Sequence, residues 1–173
     1  RLRAVSGYPV FADLLDPAAE AEMGHIELAK WADLIVLAPA TADLIARITA
    51  GMANDLVTTA CLASAAPLAI VPAMNQQMYR AAVTQENLQR LAQRGLLIWG
   101  PDSGSQACGD IGPGRMPDPP ATVAHAREWA APATALHPPN IMTPARPTRE
   151  PLDPGPFISN PRPGETGHAV APA

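Results

Sequence analysis

The chain has 173 residues and a formal net charge of −4, with 47% hydrophobic and only 16% charged residues. This balance allows one domain with a hydrophobic core and excludes a fully disordered chain. No basic cluster indicates a nucleic-acid partner, and no apolar run reaches the roughly 20 residues that a membrane span needs. The two cysteines, Cys61 and Cys108, form no disulfide framework, so we expect a reducing, cytoplasmic location.

Apolar runs and capping residues alternate along the first 131 residues and predict a series of helices and strands. The first half predicts a helix over 17–31, a strand at 34–38 stopped by Pro39, a helix at 42–50 capped by Thr41 and ended by Gly51, and a helix capped by Asn54 with Leu56, Val57 and Leu62 facing inward. The second half predicts a strand at 68–71, a helix from Thr84 to Arg94, a strand at 96–99, a glycine-rich loop at 100–116 and a helix at 121–131.

The predicted strands are continuous apolar runs without alternation, which is typical of strands buried on both faces of a parallel sheet. Strands separated by helices predict a three-layer α/β fold with a Rossmann-like or flavodoxin-like parallel sheet. The tail from Pro132 onward is rich in proline, and we predict no regular element in it.

Three short segments follow the predicted strands: 39–43, 72–75 and 104–110. Ligands of open α/β sheets bind beyond the carboxyl ends of the strands, so these segments are the candidate site. The helix start at Thr41 offers free N–H groups to a phosphate or a polar flavin edge. Each segment alone could be an ordinary capped turn. The third, in which glycines surround Cys108 and Asp110, is costly to order and favours a functional interpretation.

Four motifs carry a specific resemblance. They are His25-Ile26-Glu27-Leu28, Ala38-Pro39-Ala40-Thr41-Ala42-Asp43, Pro72-Ala73-Met74-Asn75-Gln76-Gln77-Met78 and Ala107-Cys108-Gly109-Asp110-Ile111-Gly112-Pro113-Gly114-Arg115-Met116. In order and spacing they resemble the bacterial phosphopantothenoylcysteine decarboxylases of the homo-oligomeric flavin-containing cysteine decarboxylase family. The likeness covers residues 1–131.

The tail carries a second resemblance. Asn140-Ile141-Met142, the run 147–154 and Phe157-Ile158-Ser159-Asn160 look like the opening of a phosphopantothenate–cysteine ligase domain. We therefore expect a flavoprotein domain at 1–131 that lacks its first strands, and a linker with a degraded ligase start at 132–173. Arg146 stands where the ligase family has glycine, and 162–166 depart from its next motif, so we expect no ligase activity in this chain.

The resemblance implies FMN-dependent decarboxylation of 4'-phosphopantothenoylcysteine to 4'-phosphopantetheine in coenzyme A biosynthesis. In that family the cysteinyl side is oxidised to a thioaldehyde, CO2 leaves to give an enethiol, and hydride and a proton return. His25 matches the base of the oxidation step, Asn75 the residue that holds the substrate carboxylate, and Cys108 the proton donor to the enethiol. Asn75 could equally be a helix N-cap, or both.

The resemblance also implies further site residues. Matches to flavin-contacting positions are Thr41, Ala42, Asp43, Leu44 and Ala73. Matches to substrate-binding positions, besides Asn75, are Met78, Ala107, Gly109, Asp110 and Met116. Gly109, Gly112 and Gly114 would give a substrate clamp its hinge freedom. Residues 54–56 fall where family members pack into trimers, so we expect a trimer or a dodecamer of trimers. Cys61 lies on an apolar helix stripe and is expected to be an inert core residue. We expect no metal site, nucleic-acid partner or membrane association.

Three alternatives stay open at this point. One is another flavin-dependent enzyme of the same fold, such as a peptidyl-cysteine decarboxylase or a flavin prenyltransferase. A second is a non-catalytic, flavin-binding regulatory protein. The third is a truncated fragment without activity.

Overall fold

The computed structural model describes residues 29–105, 109, 111–131, 140–143, 149–151 and 157–159. Residues 29–31 are helical, in agreement with the end of the predicted first helix. The remainder of that helix, 17–28, lies outside the described residues. We number strands and helices from the first one whose two ends are described.

The described elements are eight strands and five helices. The strands are β1 (Leu34–Ala40), β2 (Leu68–Pro72), β3 (Leu97–Ile98), β4 (Asp102–Ser105), β5 (Ile111–Arg115), β6 (Ile141–Met142), β7 (Arg149–Pro151) and β8 (Phe157–Ser159). The helices are α1 (Ala42–Ala50), α2 (Leu56–Ala63), α3 (Gln76–Arg80), α4 (Ala82–Gln93) and α5 (Pro119–Ala130).

Four strands form one parallel sheet in the order β3-β2-β1-β6. Ile35 of β1 pairs with Leu68 on one side and with Met142 on the other. The strand β6 belongs to the proline-rich tail, for which the sequence predicts no element. It is also tied to the chain before β1, since Asp33 N–H donates to the Asn140 carbonyl at 2.8 Å. Two antiparallel hairpins, β4–β5 and β7–β8, stand apart from this sheet in hydrogen bonding.

Strand β1 is buried on both faces. Ile35 and Leu37 point into a core shared with Ile45 of α1, Cys61 of α2, and Leu88 and Leu91 of α4. Leu34, Val36 and Ala38 point the other way, into a core with Trp99 and Ala126 of α5. Helices therefore cover both faces of the sheet, and the predicted three-layer α/β fold is confirmed.

Three predictions about the first strand and α2 are wrong in detail. Pro39 does not stop β1, which continues through it to Ala40. The cap of α2 is Asp55 and not Asn54: its side chain accepts from the Thr58 N–H, and the Thr58 hydroxyl bonds back to the Asp55 N–H as a capping box. Leu62, which was predicted to face inward, is exposed, because α2 turns Thr58, Ala60 and Cys61 to the core.

Two further predictions need correction. Thr84 does not cap a helix, because it is buried within α4. That helix begins at Ala82, and the single residue Ala81 separates it from α3. The predicted glycine-rich loop at 100–116 contains the hairpin β4–β5. Its strands consist mostly of polar residues, glycine and proline, so neither shows an apolar side-chain pattern by which it could be found.

Candidate functional site

The segment after β1 forms the N-terminus of α1. The Thr41 hydroxyl accepts from the Leu44 N–H at 3.2 Å, which confirms the predicted cap. The N–H groups of Ala42 and Asp43 belong to the first turn, where a helix has no internal acceptors for them. Together with the helix dipole they form a site suited to an anionic or polar ligand group.

Asp43 lies in this first turn but its charge is compensated. Arg47 Nε lies 3.0 Å from one Asp43 carboxylate oxygen, and Arg47 Nη1 lies 2.6 Å from Asp55 and 3.3 Å from the Asn54 amide oxygen. The hydrogen bond to Asp55 is the main reason that the pKa of Arg47 is raised above its ordinary value. The guanidinium thus connects α1 to the N-terminus of α2 and offsets the repulsion that Asp43 would exert on a phosphate.

Replacing Asp55 by asparagine tests this connection. Burial alone would raise the pKa of Asp55, but hydrogen bonds from Thr58 and Arg47 outweigh it and hold the pKa below the ordinary 3.8. A lowered pKa stabilises the fold above the unfolded-state value and is lost as the pH falls through the folded-state value. Asparagine keeps the helix cap without the charge. Urea denaturation should find Asp55→Asn less stable at pH 7 and should find the gap closing below pH 3.8. A gap independent of pH would contradict the argument.

Backbone hydrogen bonds join the segments after β1 and β2 to each other and to the hairpin strand β5. The Ala73 N–H, just after β2, donates to the carbonyl of Ala40 at the end of β1, at 2.9 Å. The next N–H, of Met74, donates to the Gly114 carbonyl in β5, also at 2.9 Å. The Ala73–Met74 segment therefore lies between the start of α1 and the hairpin, as the sequence predicts for loops that leave neighbouring strands.

Asn75 begins the short helix α3. Its side-chain oxygen accepts from the Gln77 N–H at 2.8 Å, so the N-cap role anticipated from the sequence is confirmed. Met78 lies three residues on, and residues three apart share one side of a helix. The predicted substrate contacts Asn75 and Met78 are thus adjacent, beside the point where Met74 meets the hairpin.

The other predicted site residues divide into three groups. His25, Ala107, Cys108 and Asp110 lie outside the described residues. Gly109 is exposed in the turn of the hairpin, with a left-handed φ of 85°. Met116 packs against the core that contains Trp99 and Ala126. Among the described contacts, none joins Met116 to Asn75.

Gln76 is a residue of this region that the sequence did not single out. Its side chain lies directly against Gly112 of β5. The pattern Ile111-Gly112-Pro113-Gly114-Arg115 contained a signal, because its glycines occupy alternate positions and both are buried. Such a pattern indicates a close approach by another element, but it does not identify which one.

Cys61 is 5% exposed, and burial raises the pKa of its thiol to about 12. At pH 8 only about one such thiol in ten thousand would be ionised, and the thiolate is the reactive form. We therefore expect a Cys108→Ser chain to react with a thiol reagent only after denaturation, as followed by absorbance of the released chromophore. Rapid, stoichiometric labelling of the native variant would contradict the core placement of Cys61.

Metal clusters and membrane-spanning helices are both absent from the described residues. No group of three or more His, Cys, Asp or Glu in the described part of the chain could hold a metal ion. Within that same part, no helix is long and apolar enough to cross a membrane. The small residues Ala42 and Ala73, with the first-turn N–H groups of α1, would allow a flat, polar cofactor to approach the backbone closely.

Comparison with known proteins agrees with this geometry. The model of the family described as Flavoprotein matches residues 2–131. The chain is 69% identical over 172 residues to the coenzyme A biosynthesis bifunctional protein CoaBC of Escherichia coli. That match covers 99% of this chain but 42% of the relative, so the chain spans less than half the length of that protein.

Solved structures give a similar result. A cysteine-to-serine mutant of PPC decarboxylase complexed with pantothenoylaminoethenethiol is 33% identical, with a TM-score of 0.60, and the match covers 62% of this chain and 60% of that one. The FMN-dependent cysteine decarboxylase SpaF is 30% identical, with a TM-score of 0.59, over 75% of this chain and 70% of that one.

Proposed function

Since the chain belongs to the Flavoprotein family, we propose that it binds FMN and decarboxylates 4'-phosphopantothenoylcysteine to 4'-phosphopantetheine in coenzyme A biosynthesis. The observation that carries this proposal is the meeting of three segments through the Ala73–Ala40 and Met74–Gly114 hydrogen bonds. These bonds join the start of α1, the residues just before Asn75 and the strand β5, which Cys108 precedes by three residues in the chain. In the flavin-dependent cysteine decarboxylases that the sequence resembles, the matching segments carry the cofactor and substrate contacts.

The N-terminus of α1 would hold the cofactor. Thr41, Ala42, Asp43 and Leu44 provide first-turn N–H groups and a capped, rigid backbone, and Ala73 provides a small side chain opposite them. The pairing of Asp43 with Arg47 removes an unfavourable charge from this end of the helix. When bound, FMN supplies reversible two-electron oxidation of the substrate's cysteinyl side, the chemistry that allows CO2 to leave.

Asn75 would bind the substrate carboxylate. Its amide oxygen accepts from the Gln77 N–H in the helix cap, which fixes the side chain, and the amide nitrogen is the group of this side chain that can donate to a carboxylate. A neutral amide holds a carboxylate without the strong ground-state stabilisation of an arginine. This suits a group whose charge disappears as CO2 departs, because tight ground-state binding would oppose the reaction.

His25 and Cys108 would manage the protons. His25 is the proposed base that removes a proton as the cysteinyl side is oxidised, a role suited to an imidazole near neutral pH. After the carbon–carbon bond to CO2 has broken, Cys108 would give its proton to the carbon that carried the carboxylate, and the thiolate would regain a proton from water. Overall a proton replaces CO2 at one carbon, and the reaction is redox-neutral. Gly109, Asp110, Ala107, Met78 and Met116 are the remaining proposed substrate contacts.

We propose a homo-oligomer, either a trimer or a dodecamer of trimers, in the cytoplasm. Residues 54–56 match the positions at which family members pack into trimers, and Met52, two residues before them, is exposed. For the domain organisation we propose a flavoprotein domain at 1–131 followed by a linker and the start of a ligase-like segment at 132–173.

Spectroscopy and product analysis of the purified chain test the proposal. We expect a yellow protein with flavin absorbance, and conversion of 4'-phosphopantothenoylcysteine to 4'-phosphopantetheine and CO2 by mass spectrometry. A colourless chain that takes up no added FMN would overturn the proposal in favour of a non-catalytic fragment.

A second candidate is decarboxylation of a C-terminal cysteine of a peptide. The likeness to the FMN-dependent cysteine decarboxylase SpaF favours it as the alternative. Supplying a peptide ending in cysteine and 4'-phosphopantothenoylcysteine at equal concentrations separates the two. Preferential consumption of the peptide would overturn the coenzyme A assignment while leaving FMN-dependent chemistry in place.

A further inference from the structure

The inner face of the hairpin strand β5 has no side chains. Gly112 and Gly114 are buried, whereas Ile111 and Arg115, on the alternate positions, are exposed. A strand whose inward positions are both glycine allows a neighbouring backbone to approach more closely than any other residue type would permit. In β5 the inward positions face the beginning of α3.

Two contacts define this approach. The Met74 N–H donates to the Gly114 carbonyl at 2.9 Å, which fixes β5 to the residue just before Asn75. The second contact involves Gln76, whose side chain fills the space that a side chain at position 112 would need. A Cβ on Gly112 would collide with the Gln76 amide oxygen and would lie 3.0 Å from Cδ and 3.1 Å from Cβ of the same residue. Not even a methyl group fits without displacement.

The conformation of Gly112 does not explain why a glycine is there. Among the described glycines, Gly109 and Gly114 have left-handed φ angles and Gly112 does not. The requirement at position 112 is therefore steric and depends on the presence of the Gln76 side chain. A residue needed for close packing contributes rigidity, in contrast to the hinge freedom expected from the sequence.

We propose that Gly112 and Gln76 are positioning residues, whose contact seats the hairpin β4–β5 on the N-terminus of α3 and sets its distance from Asn75. This inference rests on the proposed function. Under that function Asn75 binds the carboxylate of one substrate carbon, and Cys108, which lies between β4 and β5 in the sequence, protonates that same carbon after CO2 has left. Both groups serve a single atom, so a hairpin displaced by about 1 Å would lower the rate on the order of 100-fold.

Substitutions at Gly112 and Gln76 test this contact. In Gly112→Ala the amide of Gln76 must turn away, and the 3.1 Å approach to the Gln76 Cβ must widen by a few tenths of an ångström. We expect kcat to fall about 10-fold with little change in KM, and the enethiol share of the products to rise, because proton delivery slows more than CO2 release. Gly112→Val, with two further methyl groups, should show a larger effect in the same direction.

A second substitution provides the rescue. Gln76→Ala removes the amide that the new methyl meets, so Gly112→Ala with Gln76→Ala should recover the activity of Gln76→Ala alone. Gly104→Ala is the matched control: Gly104 pairs with Gly112 across the hairpin, but its Cβ would meet only the flexible Arg115 side chain, at 3.2 Å from Cδ. It should lower kcat less than Gly112→Ala does and should change the product composition less.

Hydrogen exchange gives a readout independent of activity. The Met74 amide is the donor of the bond to Gly114, so it should exchange faster in Gly112→Ala and, in the double variant, at the rate of Gln76→Ala alone. Parental exchange and product ratios in both Gly112→Ala and Gly112→Val would overturn the inference, as would activity loss that Gln76→Ala fails to recover. If the parental chain made no 4'-phosphopantetheine but the Met74 amide exchanged faster in Gly112→Ala than in the double variant, the contact between Gly112 and Gln76 would be supported and the proposed function would be overturned.

Discussion

Replacing Cys108 by serine should reduce formation of 4'-phosphopantetheine at least about 100-fold, which is the scale of a lost general acid. A serine hydroxyl is a far weaker acid than a thiol, so CO2 would still leave while the carbon that carried it would not be protonated. The product would then be the enethiol, which is lighter than 4'-phosphopantetheine by two hydrogen atoms. Mass spectrometry of the products of a short incubation measures both species.

The other cysteine of the chain is the matched control. Cys61 is buried in the core formed by α1, α2 and α4, so Cys61→Ala should lower stability, by about 1 kcal/mol, without changing the products. A normal yield of 4'-phosphopantetheine from Cys108→Ser would remove Cys108 from the proposed mechanism. Enethiol accumulation in Cys61→Ala as well would show that the effect follows from loss of stability.

Replacing Asn75 by aspartate should lower kcat/KM for 4'-phosphopantothenoylcysteine at least about 100-fold, because a lost hydrogen bond to a charged group costs roughly 1.5–3 kcal/mol and repulsion adds to it. Aspartate is as good an N-cap as asparagine, so the acceptor for the Gln77 N–H is kept. The substitution therefore separates the two roles of Asn75. Thermal unfolding should show a midpoint close to that of the parental chain.

Gln77→Glu is the control for charge. Gln77 is exposed on the same short helix, and the substitution introduces the same negative charge two residues away. It should leave kcat/KM within a few-fold of the parental value. If Asn75→Asp kept near-parental kcat/KM, Asn75 would be a helix cap and nothing more.

Much of the sheet could be predicted because its signal is local. Leu34–Ala40 and Leu68–Pro72 are short apolar runs beside proline, and parallel strands of this kind are buried on both faces whatever lies around them. Both ends of α1 could also be predicted, since threonine commonly caps the start of a helix and glycine its end.

The missed features depend on partners that are distant in sequence or ambiguous nearby. Asn54 and Asp55 are adjacent and equally good caps; the choice of Asp55 follows from its bonds to Thr58 and Arg47. The pairing of β4 with β5 uses backbone groups only. The strand β6 is defined by hydrogen bonds to residues more than a hundred positions earlier, which no local pattern records.

The candidate site shows the same division. Asn75 and Thr41 could be singled out from their places after the strands, and both form the caps that those places predict. The contact between Gln76 and Gly112 joins two segments far apart in sequence, and a glutamine on a short helix is unremarkable by itself. Only the alternate glycines of β5 pointed to a close neighbour.

The alternation along β1 has a consequence for how this chain tolerates sequence change. Consecutive residues such as Ile35 and Val36 belong to separate hydrophobic layers, although they are joined by one peptide bond. Substitutions that alter volume at Ile35 or Leu37 must be accommodated by α1, α2 and α4, and those at Leu34, Val36 or Ala38 by Trp99 and α5. Of these two layers, only that of Ile35 and Leu37 reaches the helix whose first turn is the proposed cofactor site.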